Sequence, residues 1–181
     1  MKNLALIVLM LTSPFAGKLI AQPHETGNKE KMKIFSGWVG HWKGEGTIQM
    51  GPGEPQKSTV DEHIESKLDG MVLLMEGVGK GLDAATQKEK VVHHALALLS
   101  FDQQSNTYKL RTYLNDGKST EAWFNVVGEN NYQWGFDVPQ AKVRYNITID
   151  PSKKTWHETG EYSANGSDWR KFLEMNLTKV D

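Results

Sequence analysis

The sequence predicts an all-β fold, a single closed antiparallel up-and-down barrel of about ten strands preceded by a short N-terminal helix. Three observations carry this. The last third of the chain holds three long β-runs, Val143 to Asp150, Trp156 to Ser163 and Trp169 to Leu177, with only turn residues between them. Turn chemistry recurs along the rest of the chain, at Gly51-Pro52-Gly53, Asp69-Gly70, Asp116-Gly117, Gly128 to Asn131, Asp150-Pro151-Ser152 and Asn165-Gly166. A meander this size removes its unpaired sheet edges most economically by closing on itself.

Taken in order, Met1 to Ala21 stand apart. Lys2 gives a positive start, Leu4 to Leu11 form an apolar core, and Ala21 offers a small residue for cleavage before Gln22. This is the order of a secretory signal, shorter than the ~20 apolar residues a membrane span needs. Export to the periplasm or the outside is therefore expected, with no stable membrane insertion after cleavage. Residues 22–30 read as a flexible polar tether and 31–181 as the barrel domain. Lys29 to Gly37 predict one short helix, with Met32, Ile34 and Phe35 as a partial apolar stripe.

Strands follow at Trp38–Gln49, Ser58–Leu68, Met71–Gly79, Val91–Asp102, Thr107–Leu114, Thr120–Val127, Tyr132–Asp137, Lys142–Asp150, Thr155–Ser163 and Trp169–Lys179. Met71 to Met75 and Ala95 to Leu99 are apolar on both faces, so their outer surface calls for a cover. The segment around Met32 and Phe35 is the cheapest cover, and a second copy of the chain, a homodimer, is the other. The one long connection, Lys80 to Lys90, suits a portal or lid.

Composition narrows the classes. With 38% apolar and 24% charged residues the chain is ordinary for a globular domain, and disorder is excluded. There is no cysteine, so neither a disulfide framework nor lipid on a processed cysteine is available. Removing Lys2 and Lys18 with the signal leaves 19 of the 21 basic residues against 22 acidic ones. That balance gives no electrostatic case for nucleic acid or an anionic membrane surface.

Gly40-His41-Trp42 after a helical turn resembles the start of calycin barrels, the superfamily of lipocalins and fatty-acid-binding proteins. The resemblance implies a structural Trp42 plugging the closed end, with Arg170 or Lys171 of the last strand stacked across it as a cation–π partner. A broader pattern covers most of the chain: Ala97 to Asp102, Arg111-Thr112-Tyr113, Trp134-Gly135-Phe136, Val143-Arg144-Tyr145, Trp156, Glu158, Gly160-Glu161, Trp169, Lys171-Phe172 and Glu174-Met175. It is similar to an uncharacterised family of exported bacterial proteins, domain of unknown function 1579, with an expected lipocalin-like barrel and no assigned activity. Gly40-His41-Trp42-Lys43-Gly44-Glu45-Gly46 also resembles the first strand of nitrobindin-type haem barrels, whose haem hangs from a histidine near the C-terminus. Here the last histidine is His157, so the chain departs from that arrangement and no cofactor, haem included, is expected.

The remaining candidates are polar groups in mid-strand. Adjacent His93 and His94 point to opposite faces and cannot share a metal, and His63 beside Asp61 and Glu62 reads as a solvated face. No histidine, aspartate or glutamate pair shows ligand spacing supported by a third member, so no metal site is expected. Arg111 with Tyr113, Arg144, Glu158 and Glu174 lie mid-strand, where a charge faces either water or a polar cavity. Facing inward, the arginines would grip a ligand carboxylate; facing outward, they would bond neighbouring strands. Met75, His93, Trp134 and Tyr145 would add contact area for a small hydrophobic or amphipathic molecule. Binding is the preferred class. A barrel enzyme using Glu158 or Glu174 as general acid or base, and a non-catalytic dimeric interaction protein, are the alternatives.

Overall fold

The computed structural model describes residues 24–181. Helix α1 (His24–Met32) runs into a 3₁₀ helix, Lys33–Trp38, and ten strands follow: β1 (Gly40–Ile48), β2 (Gln56–Lys67), β3 (Val72–Leu82), β4 (Glu89–Asp102), β5 (Thr107–Leu114), β6 (Ser119–Gly128), β7 (Asn131–Val138), β8 (Ala141–Asp150), β9 (Thr155–Ser163) and β10 (Arg170–Lys179). Each strand pairs antiparallel with its sequence neighbour, and β1 pairs with β10 to close the barrel. The predicted signal segment lies outside the described residues. Among the described residues no helix is long and apolar enough to cross a membrane.

The helical segment starts earlier than expected, so most of the stretch predicted as a tether is α1. Nor does this segment cover the outside of β3 and β4. It turns across one end of the barrel, where Met32, Phe35 and Trp38 are buried in the core. Phe35 meets Trp38, Tyr108 and Phe124 edge to face at ring separations of 5.3, 5.2 and 5.6 Å, a geometry that aromatic quadrupoles favour. The Tyr108 hydroxyl donates to the Lys31 carbonyl at 3.0 Å, tying the plug to the β5 end.

Trp42 lies beneath this plug, fully buried, with its indole N–H donating to the Trp38 carbonyl at 2.8 Å. Its cationic partner is Lys179, whose Nζ stands 5.4 Å from the ring centre. Arg170 and Lys171 do not take that place. They sit at the opposite end of β10, where Arg170 pairs with Tyr162 in register and Lys171 bonds Glu174 at 2.5 Å. Because β10 runs antiparallel to β1, only its C-terminal residues reach Trp42, which is in register with Lys179.

The connection between β3 and β4 is also shorter than expected. The ladder continues to Leu82 and Glu89, and the turn between them is tied by Asp83, whose carboxylate accepts from the Ala85 and Thr86 amides at 3.1 and 2.9 Å. With the plug at one end and this turn among the loops at the other, the barrel has one closed floor and one mouth.

A carboxyl-lined cavity inside the barrel

Strict alternation decides which side chains enter the barrel. On β2, Ser58, Val60, Glu62 and Ile64 point inward; on β9, Trp156 and Glu158 do. Together the inward residues enclose a cavity of about 310 Å³, at the small end of the range for ligand pockets. Trp38, Trp156, Phe124 and Ile147 lie toward the plug; Met75, Gly77, Ala97, Trp134 and Tyr145 form the middle; His93, Leu114, Thr120 and Phe136 lie toward the mouth.

Two carboxyl groups face this space. Glu158 is buried, and its oxygens accept from the indole N–H groups of Trp134 at 3.4 Å and Trp156 at 3.2 Å. Glu62 has no hydrogen-bond partner among the described residues. Its carboxyl lies over Gly77, its register partner on β3, in space that any side-chain carbon at position 77 would occupy.

Burial pushes Glu158 up to about 7, and the two indole donors oppose that rise by stabilising its anion. Burial pushes Glu62 further, to about 8, helped by the charges of Glu158 and Asp61. Burial of both groups and the repulsion between their charges keep the pair from ionising fully near neutrality. Tyr145 is stacked on Trp134 with ring centres 4.0 Å apart, and burial and the Glu158 charge keep its hydroxyl protonated. The pair can store, give and take a proton near neutrality, which suits a general acid or base. It can equally accept hydrogen bonds from a donor-bearing ligand.

Of the residues singled out from the sequence, Met75, His93, Trp134, Tyr145 and Glu158 line this cavity. Arg111, Tyr113, Arg144 and Glu174 do not: they stand on the outer wall. Arg111 pairs with Glu121 across the β5–β6 ladder at 2.6 Å, and Tyr113 is exposed on the same face. Arg144 donates from Nε to Glu161 at 2.7 Å and lies over the Trp169 ring at 3.8 Å. Glu174 bonds Lys171 and His157, which hold its carboxyl below the usual range. The cause is alternation. Leu110, Thr112 and Leu114 take the inward positions of β5, Tyr145 and Ile147 those of β8, and Leu173, Met175 and Leu177 those of β10. Water and cross-strand partners satisfy the charges outside, so no buried cluster of arginines forms.

Glu62 faces the interior, although Asp61-Glu62-His63 suggests a solvated face from the sequence alone. The signal was present: Val60 and Ile64 flank it at the inward spacing, while Asp61, His63 and Glu65 take the outward positions. The outward set forms its own cluster, in which Asp61 bonds His41 and pairs with Lys43 at 3.1 Å.

A family model described as "Protein of unknown function (DUF1579)" matches residues 28–179. Among solved structures, the crystal structure of Rv2717c from M. tuberculosis is similar, with a TM-score of 0.59 at 13% identity, covering 83% of this chain and 97% of that one. At that identity the likeness is one of fold. A comparison with curated proteins finds no match.

Proposed function

Since the chain belongs to this family of proteins of unknown function, its role has to be argued from its own interior, and we propose that the barrel binds a small, mostly apolar molecule with one polar end. The observation that carries this is the cavity of about 310 Å³ with mainly apolar walls and two carboxyls facing it. A purely structural barrel would gain by filling such space, because voids forfeit packing contacts. An inward carboxyl without a partner would also be replaced at a profit in stability.

Titration with hexan-1-ol tests this reading, using the emission of the tryptophans that line the cavity and calorimetry in parallel. Saturable one-to-one binding is expected, lost in Ala97→Phe, which fills the middle of the cavity from β4. No saturable response of the wild-type protein to any six-carbon probe, whatever its head group, would sink the proposal.

The charged, apolar, small order of Met1 to Ala21 supports export as part of the same reading. A second reading, a dimeric interaction protein, is favoured by one observation. Leu74 and Leu98 face each other in register on the outer surface of β3 and β4, with Leu96 beside them, all only half-buried. Sedimentation velocity decides it: a dimer dissociated by Leu98→Glu supports this reading, and a monomer at high micromolar concentration removes it.

A further inference from the structure

We propose that the cavity's occupant is an organic amine, a short apolar body carrying a protonated amino group that seats between Glu158 and Glu62. This rests on the binding reading above and names the ligand's chemistry.

Three observations converge on it. First, among the described residues no lysine or arginine lines the cavity. A ligand carboxylate or phosphate would be buried with no lysine or arginine to offset it, near a carboxyl pair that already resists a second negative charge, and with His93 at the mouth pushed toward its neutral form by burial. Second, the acceptors inside are under-used. Each Glu158 oxygen receives one indole N–H, which leaves further lone pairs free on both. Glu62 receives nothing from the described residues, and Gly77 clears the ground its carboxyl occupies. An ammonium brings three donors, no acceptor and a positive charge, and complements this set once Glu62 gives up its proton. A neutral alcohol brings one donor and leaves most of the acceptors unmet.

Third, the surroundings of Glu158 are aromatic. Trp134 and Trp156 reach it through their ring edges, and Tyr145 lies flat against Trp134. These rings exclude water around the carboxylate, and in that low-dielectric setting its attraction for an ammonium is stronger than in water. The small volume selects a short or single-ring body over a long lipid chain.

Hexan-1-amine, hexan-1-ol and hexanoate share one apolar chain and differ only at the head. Calorimetric titration of the three at pH 7.5 therefore isolates the head group. The amine is expected to bind at least ten times more tightly than the alcohol, and the carboxylate at least ten times more weakly. Glu158→Gln should shrink the amine-to-alcohol ratio at least fivefold, with circular dichroism confirming the fold. Amine and alcohol binding equally would overturn the amine inference and leave the cavity reading standing, and so would tightest binding of hexanoate. Failure of all three to bind would overturn both. The wild-type series decides the matter even if the variant does not fold.

Discussion

The carboxyl of Glu62 rests against Gly77 across the β2–β3 ladder, in space that a side chain at 77 would claim. Glycine is used there for room, since its backbone is ordinary strand. The consequence is testable by contrast with Gly44. A methyl at Gly77 meets only the far end of the Glu62 side chain, which can swing into the cavity, whereas one at Gly44 runs into the backbone of Asn176 and Leu177. Gly77→Ala is expected to cost less than about 1 kcal/mol and Gly44→Ala clearly more, as main-chain displacement does. Denaturant unfolding of both variants checks this, and a larger loss for Gly77→Ala would mean that Glu62 is held rigidly.

The two raised carboxyls make stability depend on pH. Both start from an ordinary value of 4.5 and reach about 8 for Glu62 and about 7 for Glu158 in the fold. Between those values the folded protein keeps protons that the unfolded chain has released. Their contribution is therefore complete below about pH 4.5 and fades as pH rises through 7 and 8. The ligand-free protein should lose stability from pH 5 to 8.5, at up to roughly 1.4 kcal/mol per pH unit for each group inside its window. Glu62→Gln should flatten the upper part of that slope. Urea titrations across the range would show it; identical slopes for the two proteins would place Glu62 in contact with bulk water.

The closed meander was legible because period-two runs and Gly, Asn and Asp turns are local signals. The plug was harder to read. Met32, Phe35 and Trp38 show an apolar stripe, but whether it caps an end or covers a face depends on where the chain enters the barrel, which is a tertiary matter. The site failed at a different step. Charge at a strand centre leaves the inward and outward readings open, and Arg111, Arg144 and Glu174 each alternate with apolar neighbours that fill the inward positions. Glu158 carries the same mid-strand mark and does face inward, on the side of its strand that it shares with Trp156. Glu62 was missed because its strand carries charge on both faces, and the two apolar residues beside it are all that distinguishes them.

Export gives a prediction of processing. If Met1 to Ala21 act as a secretory signal, expression of the full chain in a bacterial host should yield a periplasmic form beginning at or near Gln22. N-terminal sequencing of the fractionated protein checks it. An intact Met1 in the membrane fraction would make the segment an anchor.

Trp42 and Lys179 close the barrel's floor from adjacent strands, and their contributions should differ in kind. Trp42 is fully buried and meets Trp156 edge to face with ring centres 5.8 Å apart. Trp42→Ala removes a large packed ring and should cost ~3–5 kcal/mol, since the plug above it is anchored to Tyr108 and collapses only partly. Lys179→Met keeps the aliphatic stem over the ring and removes only the charge 5.4 Å from its centre, a loss of about 0.5–1 kcal/mol. Arg170→Ala and Lys171→Ala, at the far end of β10, should fall within about 0.5 kcal/mol of the wild type. In the Trp42→Ala background the Lys179→Met penalty should vanish, because the ring it acts on is gone. Denaturant titration of the four single variants and the double variant measures each step. A cost for Arg170→Ala above that for Lys179→Met would show that the mouth end of β10, rather than its closed end, holds the cationic partner of the core.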